Sequence, residues 1–80
     1  MTVGQDAQTR QEIEALDAEM AELAEKQKVV EQRARELMAA EDHKAGVYYA
    51  QEIFAAKQEK LTLETQLEIA RRRRNRLLAG

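Results

Sequence analysis

Residues 9–41 read TRQEIEALDAEMAELAEKQKVVEQRARELMAAE, and within them Ile13, Leu16, Met20, Leu23, Val30 and Leu37 follow an alternating spacing of three and four residues. Gln27 and Ala34 fill the two intervening places of the same series. This is a heptad seam about four repeats long, with one polar and one small member. A helix carrying such a stripe cannot leave it in water, so the rest of the chain, or another copy of it, must supply a partner surface.

Working outward, Thr9 with Glu12 has the spacing of a capping box, and residues 1–8, with Gly4 and few apolar anchors, are expected to be a flexible arm. The first helix is expected over residues 9–40. Within it, Glu22 with Lys26 and Glu31 with Arg35 are four apart in the favourable order and mark a solvated flank. The seam fails at residues 41–46, EDHKAG, the one plausible turn: Gly46 can take a left-handed conformation and Asp42 can cap the start of a second helix. That second helix is expected over residues 47–78. Tyr49, Ile53, Ala56, Leu63, Leu67, Ala70 and Leu77 share one face, interrupted by Lys60 and Arg74. Phe54, Leu61 and Leu78 lie beside that series and widen the apolar stripe beyond what a two-stranded seam needs.

Composition agrees with long helices packed side by side. The chain has 80 residues, no proline, three glycines and one phenylalanine, and 35% of it is charged. Charge is unevenly divided. Residues 1–42 hold eleven acids and five bases, a net of −6, while residues 43–80 hold four acids and eight bases, a net of +4. Folding the chain back near residue 43 or 44 lays the acids Glu12, Glu14, Asp17, Glu19, Glu22 and Glu25 along the segment containing Arg71, Arg72, Arg73, Arg74 and Arg76. Facing residues would then have numbers totalling about 86–88. A parallel pair of continuous helices would set the arginine run against its own copy. The expected fold is therefore all-α: a single domain forming a long antiparallel, coiled-coil-like helical hairpin. One shared seam is a small core for so many ordered residues, so pairing of two hairpins into a four-helix bundle is expected as well.

The sequence offers little for chemistry. His43 is the sole histidine, and serine and cysteine are absent, so the usual nucleophiles have no representative. There is no glycine-rich phosphate loop and no set of residues spaced as metal ligands. No catalytic, cofactor-binding or metal-binding residue is expected. The opening Arg10-Gln11-Glu12-Ile13-Glu14-Ala15-Leu16-Asp17 resembles, over those eight residues, the first helix of the all-helical chorismate mutases, which begins Arg-x-x-Ile-Asp-x-Leu-Asp. The resemblance implies a substrate-carboxylate contact for Arg10. Glu14 departs from the family's aspartate, and Leu23-Ala24-Glu25-Lys26 stands where the family has Leu-Leu-x-Glu-Arg. The chain is not assigned to that family.

The expected role is that of a non-enzymatic interaction and assembly module. Ile13, Leu16, Met20, Leu23, Val30, Leu37, Ile53, Leu63 and Leu67 are expected to make the helix pairing, and Tyr48, Phe54 and Leu61 to meet a protein partner or a second copy. The alternative is a small nucleic-acid-binding or regulatory protein using Arg71, Arg72, Arg73, Arg74 and Arg76 on phosphates. The N-terminal MTVGQDAQT lacks the order of a signal peptide, and no run approaches the ~18 apolar residues of a membrane span. A cytoplasmic location is the expectation.

Overall fold

With no proline to stop it, a nucleated helix adds residues at little cost, and a single glycine opposes it by only about 1 kcal/mol. The first helix accordingly begins well upstream of its expected cap. The computed structural model describes residues 3–79, with side chains from residue 7 onward. It contains two helices, α1 (Val3–Ala40) and α2 (Ala50–Ala79), running antiparallel. Residues 3–8, expected as an arm, are helical, so Thr9 lies inside α1 and the capping box with Glu12 does not form there. Residues 1 and 2 lie outside the described part.

The chain is a rod with Cα extents of 67 × 14 × 13 Å. Its radius of gyration is 18.8 Å, against about 12 Å for a compact domain of this length. The rod is this long because α1 has 38 residues, roughly 57 Å of helix.

Both seams lie between the helices. Leu16, Leu23, Val30 and Ala34 of α1 and Ile53, Ala56, Leu63 and Ala70 of α2 are buried. Ile13, Met20, Gln27, Leu37, Tyr49, Lys60, Leu67, Arg74 and Leu77, the remaining positions of the two series, are half-buried. Lys60 and Arg74 therefore do not break the stripe. Their aliphatic stems lie in it and their charged heads leave its edge. Lys60 Nζ sits 3.1 Å from Glu31 Oε1, and Arg74 Nε donates to Asp17 Oδ1. These pairs fix the register: facing residues have numbers totalling about 91, not 86–88. The cause is a turn longer than expected.

That turn spans residues 41–49. Asp42 and Val47 exchange both backbone hydrogen bonds, at 2.9 and 2.8 Å, as in a β-hairpin closing a four-residue loop. Inside it, the Asp42 carboxylate accepts from the amides of Lys44 and Ala45 at 3.1 and 3.2 Å. Asp42 thus caps the loop, not α2 as expected. Glu41 takes the amide before α2 instead, accepting from Tyr49 N at 3.0 Å. Gly46 closes the loop with φ of 74°, the left-handed conformation that side chains resist. A Cβ there would meet no atom, so the cost of Gly46→Ala is purely conformational. The variant is expected to lose about 1 kcal/mol of stability, with Gly46→Asn losing less, as read by urea denaturation.

Candidate interaction surface

Two surface features carry the residues singled out in the sequence. The first is the arginine run near the end of α2. Arg71 Nη1 and Arg72 Nε bind the two oxygens of Glu68 at 2.9 and 3.3 Å, and Arg74 binds Asp17. Arg73 lines a groove between the helices with Glu19 and Glu22. Arg76 shares a neighbouring groove with Glu12 and Glu19. The run is therefore interleaved with carboxylates from both helices, which lowers its net potential toward a polyanion. Only the Asp17 contact crosses directly between helices; Arg71 and Arg72 are satisfied within α2.

The second feature is the outer face of α2. Phe54 and Leu61 are 64% and 54% exposed, whereas Leu63, two residues further on, is 7% exposed. They do not widen the inner stripe, as expected, but belong to a separate one. Gln51, Phe54, Gln58, Leu61 and Thr65 repeat at alternating three and four residues, all exposed. Ala55, Thr62 and Ile69 run alongside, and Tyr48 stands just before the helix. None is charged. The hydroxyls of Thr62 and Thr65 donate to the carbonyls of Gln58 and Leu61 at 3.1 and 3.0 Å, so much of their polarity is spent on their own helix. α2 thus carries two heptad series on different faces. Of the outer one, Tyr48, Phe54 and Leu61 stand out in the sequence as apolar residues off the main seam. The uncharged glutamines and threonines that complete it do not, and their spacing was the available signal.

The outer face of α1 is built differently. Glu22 pairs with Lys26 at 3.4 Å, Glu25 with Lys28 at 4.0 Å and Glu31 with Arg35 at 3.6 Å, and Gln32 bonds Glu36 at 3.2 Å. It is mainly a solvated surface of charged i,i+3 and i,i+4 pairs, with Val29 and Met38 exposed singly among them. At the turn, exposed His43 meets the Tyr48 ring edge to face, with centroids 5.0 Å apart.

Arg10 is exposed. Among the described residues, no group of three or more His, Cys, Asp or Glu side chains is arranged to hold a metal ion. No described helix is long and apolar enough to cross a membrane. Compared with protein-family models, curated proteins and solved structures, the chain matches none. What stands is a small all-α module, a two-helix hairpin, whose second helix carries an uncharged outer stripe between Gln51 and Thr65.

Proposed function

We propose that this hairpin is a non-enzymatic assembly module that associates with itself and offers a helical surface to a protein partner. The observation that supports it is the uncharged outer heptad of α2, with Phe54 and Leu61 exposed, against an outer face of α1 dominated by charged pairs. A helix that needed one neighbour only would carry charge at those positions, as α1 does. Sedimentation equilibrium tests the self-association. The expected mass is twice the 9.2 kDa of the chain, and a monomer at concentrations well above micromolar would sink the proposal.

Nucleic-acid binding through Arg71, Arg72, Arg73, Arg74 and Arg76 is the weaker reading, because Glu68 and Asp17 already hold three of these arginines. Changing all five to glutamine separates the two. Assembly through α2 predicts a less stable hairpin and no retained nucleic acid at low salt, before or after the change. Phosphate contact predicts salt-dependent retention that the change abolishes.

A further inference from the structure

We infer that the surface through which two copies meet is the outer face of α2, paired antiparallel with itself about a two-fold axis passing beside Gln58. This rests on the self-association proposed above and goes further by naming the surface, the orientation and the axis.

The occupant is read from the order of residues along the stripe. A two-fold axis perpendicular to two antiparallel helices brings each margin of the stripe against the same margin of the other copy. With the axis at Gln58, Phe54 on one margin falls opposite Leu61 of the second copy, and Leu61 opposite its Phe54. On the other margin Ala55 falls opposite Thr62, and Tyr48 at the helix entry opposite Ile69. Along the midline Gln51 faces Thr65, and Gln58 faces itself, where two carboxamides can exchange hydrogen bonds. Apolar residues therefore meet apolar residues on the Phe54 margin, and uncharged polar residues meet each other on the midline. No charge enters the layers between Gln51 and Thr65; beyond them Glu68 follows Leu61 on the same margin, where Arg71 and Arg72 bind it. An unrelated partner would not require that the stripe match its own reverse.

Spacing points the same way. The alternation of three and four residues from Gln51 to Thr65 is the repeat that packs helices at about +20° in left-handed bundles. Each α2 would then lie between its own α1 and the second α2. At the stripe's margin, Lys57 of the two copies would approach each other. Lys57 shares a groove with Glu31, but Lys60 and Arg35 already bind that carboxylate, so this approach opposes the pairing and keeps it weak. From residue 48 to residue 69 the stripe is roughly 33 Å long, and at helix width it covers roughly 400 Å² per copy in projection. Counting both copies that is about 800 Å², below the ~1,000 Å² that a stable interface clears, so a weak, reversible association is expected.

The chain has no cysteine, so single introduced thiols report on this geometry without background. Two facing helices 8–10 Å apart bring Cα atoms to within about 7 Å, inside disulfide reach. Gln58→Cys is expected to cross-link to itself under mild oxidation. Gln51→Cys and Thr65→Cys are each expected to stay uncross-linked alone and to link when mixed. Phe54→Arg is expected to weaken the dimer by at least about a hundredfold while helix content by circular dichroism stays unchanged, because Phe54 takes no part in the hairpin core. A dimer in which Gln58→Cys fails to link and Phe54→Arg has no effect would overturn this surface while leaving self-association standing. A parallel pairing would show itself by Gln51→Cys linking to itself, and would overturn the axis. A wild-type chain that is monomeric well above micromolar would overturn both proposals.

Discussion

Leu63→Ala is expected to remove about 2–5 kcal/mol of stability, enough to leave much of the protein unfolded at ambient temperature. Leu63 is 7% exposed and belongs to the central cluster with Leu23, Val30, Ala34 and Ala56. By the register of the two ion pairs, its layer faces Gln27. Leu63 is thus the large apolar member of that layer, and its loss strips contacts from Leu23, Val30 and Leu67, which pack in the same cluster. The hairpin has few layers to lose. At about 0.05–0.15 kcal/mol per residue, an ordinary chain of this size holds only roughly 4–12 kcal/mol, and a rod with a single seam belongs near the bottom of that range. Leu61→Ala supplies the control. Leu61 is two residues away, has the same side chain and is 54% exposed, so its truncation is expected to change monomer stability by less than about 0.5 kcal/mol. Urea denaturation followed by circular dichroism at low protein concentration measures both. Equal effects at positions 61 and 63 would mean that α2 is rotated about its axis from the orientation described.

Much of this arrangement was legible in the residues. The inner seams of both helices follow from spacing alone, because a heptad stripe has one way to leave water. The reversal of the chain was read from charge: turning back lays the acids of the first half along the arginines at the end, an arrangement that an antiparallel pair of continuous helices shares, so charge favoured the reversal without dictating it. The positions of the ends did not follow. Helix extension upstream of Thr9 depends on the small difference between a capped and an uncapped continuation, and no proline forces the choice. The turn escaped for a different reason. Asp42 read as the cap of the second helix, and only its backbone exchange with Val47 shows that it serves the loop while Glu41 takes the amide of Tyr49. That exchange delays α2 to Ala50 and moves the register by several residues. Lys60 and Arg74 looked like faults in the seam because a sequence shows where a side chain starts but not where its charged end goes.

Lys60→Leu tests that last point, and its expected effect is a gain. Lys60 is half-buried in the α2 series between Ala56 and Leu63, on the layer of Val30. Its ammonium reaches Glu31 across the edge of the seam. A partly exposed pair of this kind contributes little net stability, while a leucine at the same place would bury its side chain against Val30. Removing the lysine does not strand the acid, since Arg35 remains 3.6 Å from Glu31. Lys60→Leu is therefore expected to raise stability by about 1–2 kcal/mol. The cost should fall on specificity. Lys60 with Glu31 and Arg74 with Asp17 reward one register, and a charge inside a seam disfavours alternatives that would bury it without a partner. With leucine at position 60, the α2 series is unbroken from Ile53 to Ala70 and can pair with other copies in other registers. The variant is expected to melt higher and to show a broader distribution of masses than the wild type. A variant that melts lower would mean that the Lys60 contact outweighs the burial it displaces. A higher melt with an unchanged single mass would show that register is held by the turn, through Asp42, Val47 and Gly46, and not by the ion pairs along the seam.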